Sequence, residues 1–203
     1  MVSKRSLIAS ALLLGLAAFA PAAAPKAAIR GPFHLVDQNG RPQSEALLKG
    51  KWTVVYFGYT FCPDVCPATL QALGEAKKAL GGKGNALQVV LISVDPARDT
   101  PQLLKTYLDN SAFPAGAIGL TGTAEDVAAA AKAYKVYFRK AGSGDSYTVD
   151  HVAYAYLMNP KGEFVRIIDN TASPDDIAYM VREAMAGRPD ARPPTSGPKA
   201  PQG

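Results

Sequence analysis

Thr53-Val54-Val55-Tyr56-Phe57-Gly58-Tyr59-Thr60-Phe61-Cys62-Pro63-Asp64-Val65-Cys66-Pro67 decides how this chain is read. An apolar run, Thr53 to Phe57, leads into the chain's only two cysteines, and each cysteine is followed by proline. A residue before proline is pushed away from helical dihedrals, whereas proline itself suits the first helical position. The spacing therefore predicts a strand, a turn through Cys62, and a helix opening at Pro67 with Cys66 as its N-cap. Two thiols so placed lie near unpaired backbone N–H groups at the positive end of a helix dipole. That setting lowers thiol pKa and favours the thiolate, which is both the nucleophile and the metal ligand.

On either side of this stretch, strand and helix signals alternate. Phe33 to Val36 reads as a short strand ended by Asn39-Gly40, Thr53 to Tyr59 as a buried strand, and Leu87 to Val94 as another. Pro67 to Leu80 carries Leu70, Leu73 and Leu80 on one helical side, and Gly81-Gly82 stops it. Thr100-Pro101 opens a helix through about Asn110, Ala117 to Leu120 is a short strand, and Thr123 opens a helix with Asp126 in capping-box position. Lys140 to Ser146 reads as a polar, glycine-rich loop. Val152 to Met158, the turn Asn159-Pro160-Lys161-Gly162 and Phe164 to Ile168 form a hairpin, and Ser173 caps a last helix burying Ile177, Met180, Val181 and Ala184. A βαβ unit followed by a hairpin and a helix is the order of a thioredoxin-like α/β sandwich, a central mixed β-sheet flanked by helices. Ligands of such sheets bind beyond the carboxyl ends of the strands, where Cys62 falls.

Charge narrows the function. The 203 residues carry a net charge of +5, yet Arg30 to Glu183 hold 16 basic and 16 acidic residues. The excess sits at the two ends, so the body offers no basic face and nucleic acid is not an expected partner. Lys4 and Arg5, the apolar run Leu7 to Ala20 and small residues through Ala24 have the layout of a secretory signal, or of an uncleaved N-terminal membrane anchor. Residues 1–24 are thus expected to direct the body to the periplasm or an equivalent outer compartment. No cysteine precedes Cys62, so no lipid anchor on an N-terminal cysteine is expected. The folded domain is expected over residues 29–186. Residues 187–203, rich in Pro, Gly and Ala, are expected to be a disordered tail.

His151 is one of only two histidines and stands just ahead of the strand Val152 to Met158. If that strand runs antiparallel to Thr53–Tyr59, its start faces the other's end, and His151 lies beside Cys62 and Cys66. A thioredoxin-type reductase, from what is known of that family, carries a cis-proline on this loop. Here Tyr147-Thr148-Val149-Asp150-His151-Val152 contains no proline. Two thiolates and an imidazole are a soft ligand set suited to Cu(I) and zinc. Structural zinc usually takes four protein ligands, so copper in a three-coordinate, exchangeable site fits better.

These motifs closely resemble the Sco (SenC) family of copper-binding cytochrome c oxidase assembly factors, over about Phe33 to Ala186. The resemblance rests on Tyr56 to Pro67, on Ser93-Val94-Asp95-Pro96-Ala97-Arg98-Asp99-Thr100-Pro101, on Leu120-Thr121-Gly122-Thr123, and on Val149-Asp150-His151 with Tyr156-Leu157-Met158. It implies copper ligands at Cys62, Cys66 and His151. It also implies an exported protein that delivers copper to the dinuclear copper centre of the oxidase, or reduces that centre's cysteines. The copper-accepting oxidase subunit and a periplasmic copper donor protein are the implied partners. Val152 departs from the small polar residue common in the family at that place.

Other readings stand beside this one. Cys62 and Cys66 also read as a redox disulfide or a purely structural one, although so short a loop constrains the unfolded chain weakly. A thiol peroxidase shares the fold, but no Thr-x-x-Cys pattern reaches Cys66. His34 and Met158 read as ordinary structure, Asp64 as a solvated carboxylate, and Asp150 as pointing away from His151. Asp95, Arg98 and Asp99 are expected to tie their loop to the following helix.

Overall fold

The structure, a computed structural model, describes residues 29–194. A seven-stranded mixed sheet runs in the order β2-β1-β5-β4-β3-β8-β9, and a separate two-stranded ribbon pairs β6 with β7. The sheet strands are β1 Leu35–Asp37, β2 Pro42–Gln43, β3 Trp52–Gly58, β4 Leu87–Ser93, β5 Ile118–Thr121, β8 Ala155–Met158 and β9 Phe164–Ile168. The ribbon strands are β6 Phe138–Ala141 and β7 Thr148–His151. The helices are α1 Val65–Ala79, α2 Pro101–Leu108, α3 Ala124–Ala133 and α4 Pro174–Met185. Among these described helices none is long and apolar enough to cross a membrane. The expected leader or anchor at residues 1–24 lies outside the described residues, as does the tail from residue 195.

The continuous apolar runs of β3 and β4 become the centre of the sheet because they are covered on both faces. They pair in parallel from Trp52↔Leu87 to Gly58↔Ser93, while β8 pairs antiparallel with β3 from Thr53↔Met158 to Tyr56↔Ala155. Alternation along β3 then sorts the side chains. Tyr56 reaches the cysteine-bearing helix α1, whereas Phe57 packs against Tyr134 at the end of α3 and against Tyr156. On the Tyr56 face α1 lies along α4, and α2 lies over β5. There the Cα of Gly119 admits Leu104 and Leu108 so closely that an added Cβ would stand 2.9 Å from Leu108.

Helix starts follow the capping residues. Thr100, Thr123 and Ser173 each accept a hydrogen bond from the amide three residues on. The hairpin turn between β8 and β9 is fastened by the Asn159 side-chain oxygen, which accepts from the Lys161 and Glu163 amides, with Gly162 at φ 76°.

Three expectations shift. Cys66 is not the N-cap of α1: the helix begins at Val65 with Asp64 as N-cap, leaving Cys66 and Pro67 inside its first turn. Proline is tolerated there because the first amides of a helix have no intrahelical partner to lose. The strand expected from Val152 begins only at Ala155, and residues 138–141 and 148–151 form the ribbon instead of loop and approach. The short strand expected at Phe33 begins at Leu35. Of the C-terminal segment, Pro189 and Ala191 are held through their carbonyl oxygens by the Arg166 guanidinium at 3.0 and 2.8 Å.

Candidate metal centre

Beyond the carboxyl end of β3 the chain turns at Tyr59, whose carbonyl accepts the Cys62 amide at 3.3 Å. Cys62 remains partly exposed, whereas Cys66, the second residue of α1, is fully buried. The Cys66 amide is one of the helix's unpaired donors, and it points at the Cys62 sulfur from 3.4 Å. Both cysteines are free thiols.

β7 brings in the third residue. The His151 Nε2 stands 3.6 Å from the Cys66 sulfur across 85 residues of sequence. The other ring nitrogen, Nδ1, lies 3.1 Å from the Val152 carbonyl oxygen. A carbonyl only accepts, so that contact places the ring proton on Nδ1 and turns the lone pair of Nε2 toward the sulfurs. Cys62, Cys66 and His151 thus offer ligand atoms all within 4.8 Å of one another. The departure at Val152 leaves this contact intact, because it is made by the main chain.

Two tyrosines frame the group. Burial, and then the neighbouring Cys66, push the Tyr56 phenol far above its ordinary value, so Tyr56 stays a donor and its hydroxyl gives a hydrogen bond to the Cys66 sulfur at 3.4 Å. Tyr56 and Tyr59 both set their rings edge-on to the His151 imidazole, at centroid distances of 6.4 and 5.9 Å. The thiols themselves are unequal. The hydrogen bond from Cys66 lowers Cys62 to about 3 against the opposing effect of burial, with the Cys66 and Asp64 amides adding to the lowering. Cys66 is driven strongly upward, by that same hydrogen bond and by burial. The pair therefore holds one negative charge, on the exposed sulfur, and one proton, on the buried one.

The remaining sequence candidates fall elsewhere. Met158 is buried at the far end of β8, opposite Thr53. His34 is exposed ahead of β1, and Asp64 is exposed between the cysteines. Asp150 faces outward and pairs with Arg139, its cross-strand partner in the ribbon, at 2.9 Å. Asp99 ties its loop to the cysteine turn, accepting from the Thr60 amide at 3.1 Å and the Thr60 hydroxyl at 2.6 Å. Sequence reasoning assigned no role to Tyr56, Tyr59 or Tyr147. The period-two spacing of Tyr56 and Gly58, one face of β3 directed at α1, was the available signal for Tyr56.

Comparison with known proteins agrees with this geometry. The SCO1/SenC family model matches residues 21–186. The mitochondrial protein SCO2 of Saccharomyces cerevisiae is 45% identical over 162 residues, covering 78% of this chain and 53% of the yeast protein. The chain therefore spans about half the length of that relative. The solved structure of Bradyrhizobium japonicum ScoI with copper bound superposes with a TM-score of 0.70 at 41% identity, covering 77% of this chain and 99% of that one. BsSco, a member of the Sco family of cytochrome c oxidase assembly proteins in which a disulfide switch has been identified, matches with a TM-score of 0.63 at 26% identity, covering 76% and 91%. On the family match, the shared fold and the identity to its members, this chain belongs to the SCO1/SenC family.

Proposed function

We propose that this chain is an exported copper chaperone that binds one copper ion through Cys62, Cys66 and His151 and passes it to the dinuclear copper centre of cytochrome c oxidase. The observation that carries the reading is the convergence of two sulfurs and an imidazole nitrogen within 4.8 Å, in a group of three. Thiolate and imidazole ligands favour Cu(I), and three ligands leave a position for an incoming ligand from the acceptor. A relative of 41% identity has been solved with copper bound, which supports the metal. The basic, apolar and small-residue order of residues 1–24 supports periplasmic delivery, with the body free or tethered by that segment.

The two sulfurs divide the work of holding and releasing the ion. Cys66 is fully buried and held by the Tyr56 hydroxyl, so it is the fixed ligand. Cys62 and His151 are partly exposed, so ligand exchange with a partner starts from their side. Loading requires the Cys66 proton to leave, whereas Cys62 is already a thiolate.

One observation favours a second reading, a thiol-disulfide reductase serving the cysteines of the oxidase copper centre. An exposed, ionised Cys62 beside a buried, protonated Cys66 is the arrangement of an attacking and a resolving thiol. The two readings separate on the state of the acceptor. Copper-loaded protein is mixed with the copper-free soluble domain of the oxidase's copper-accepting subunit, its cysteines either reduced or bridged. A chaperone passes copper to the reduced acceptor, read as the copper content of the acceptor after the two proteins are separated. Transfer seen with neither acceptor, beside stoichiometric reduction of the bridged one, would replace the chaperone reading with the reductase.

A further inference from the structure

Arg98 sits between the two segments that carry the candidate ligands. Its guanidinium lies 4.6 Å from the ring centre of Phe61, the residue before Cys62, and 3.7 Å from that of Tyr147, just ahead of the strand that carries His151. It donates to the Tyr147 carbonyl at 3.1 Å and to the Asp95 carboxylate. Asp95 in turn accepts the Tyr147 hydroxyl at 2.6 Å. The next residue, Asp99, is fully buried and accepts from Thr60 and from the Ser93 hydroxyl at 2.6 Å. One loop thus grips the cysteine turn with a carboxylate and an arginine face, and grips the ribbon with an arginine fork and a carboxylate.

This brace has work to do that the sheet does not. The β6–β7 ribbon shares no ladder with the seven-stranded sheet, so side chains set its distance from the cysteine turn. A guanidinium over a ring at these distances is attracted to the ring's negative face, and its planar fork adds direction. Phe61 is 54% exposed, so its contact with Arg98 orders the surface beside Cys62 more than it fills the core.

We infer that Arg98 is a positioning residue, setting the spacing between the Cys62–Cys66 turn and His151 so that the imidazole meets the sulfurs before any metal arrives. Its consequence for copper rests on the three-ligand reading above; its consequence for the metal-free protein does not. Arg98→Met keeps an unbranched apolar stem but removes charge and fork, and Arg98→Lys keeps the charge without the fork.

The test reads both states. In the reduced, metal-free protein, nuclear Overhauser contacts between the His151 ring and the Cys66 methylene are strong in wild type and weaken in Arg98→Met. Cu(I) affinity then falls about 10- to 100-fold, the usual loss when the support behind a metal ligand is removed. In a His151→Ala background the same Arg98 change alters affinity by less than about twofold, because the spacing it sets no longer matters. Arg98→Lys falls between wild type and Arg98→Met, and carries the same cycle should Arg98→Met fail to fold. Unchanged ring contacts and affinity in a folded variant would overturn the inference, as would equal losses in both backgrounds. A wild type that binds no copper would reject the ligand reading, while loss of the ring contacts would still uphold the positioning role.

Discussion

The Tyr59 hydroxyl oxygen accepts the Val149 amide at 3.2 Å, joining the end of β3 to the ribbon across 90 residues of sequence. Val149 is buried two residues before His151, so this bond fixes the height at which the imidazole enters the site. Tyr59→Phe leaves a buried amide without its acceptor, which costs about 1–3 kcal/mol. The expected result is a lower midpoint in urea together with weaker copper binding. A Tyr59→Phe protein with wild-type stability and wild-type copper affinity would show that the bond positions nothing.

The two thiols should differ sharply in reactivity. Cys62 lies far below the ordinary thiol range and is partly exposed, so it remains a thiolate on acidification to about pH 4, whereas Cys66 is held protonated and buried. Iodoacetamide at pH 5, read by mass spectrometry of peptides, should label Cys62 and spare Cys66. Labelling that appears only above pH 8, and equally at both residues, would contradict the single shared charge.

Gly58 is the point where β3 passes under the site. A Cβ there would stand 2.9 Å from the Tyr56 ring, 3.0 Å from the Cys66 sulfur and 3.3 Å from Leu91. Gly58→Ala therefore overpacks the buried side of the centre, at about 1–3 kcal/mol in stability. Displacing the Cys66 sulfur should also weaken copper binding. Retention of both properties would mean that Tyr56 and Cys66 yield without loss.

Much of this was legible in the sequence, for physical reasons. β3 and β4 are buried on both faces, which writes itself as unbroken apolar runs, and Phe164–Ile168 was readable to the residue because a turn bounds it. Thr100, Thr123 and Ser173 announce their helices because a capping oxygen must precede the first free amides. That His151 comes near the cysteines could be read from the antiparallel pairing of β8 with β3, which sets the start of β8 beside the end of β3. The ribbon was not legible. Its exposed face carries Arg139 and Asp150, so its polarity resembles that of a loop, and the strand pairing Phe138↔His151 is hidden behind a glycine-rich turn. The roles of Tyr56, Tyr59 and Tyr147 were also out of reach, because each hydroxyl finds a partner that only the tertiary fold brings near.

The C-terminal segment separates into two parts. Deleting residues 195–203 should leave the melting temperature unchanged. Deleting from Arg188 removes the Pro189 and Ala191 carbonyls from the Arg166 guanidinium and should cost about 1 kcal/mol. Calorimetry of the two truncations checks this, and a cooperative loss of the fold in either would assign the segment to the domain core.

The three-ligand copper site stands or falls on the copper affinity of the reduced protein with and without His151. Titration with Cu(I) against a chromophoric chelator should give one tightly bound ion in wild type. His151→Ala removes one of the three ligands and leaves the dithiol whole, so affinity should fall at least about 100-fold, while oxidation to the Cys62–Cys66 disulfide persists. Wild-type copper affinity surviving unchanged in His151→Ala would contradict the three-ligand copper site.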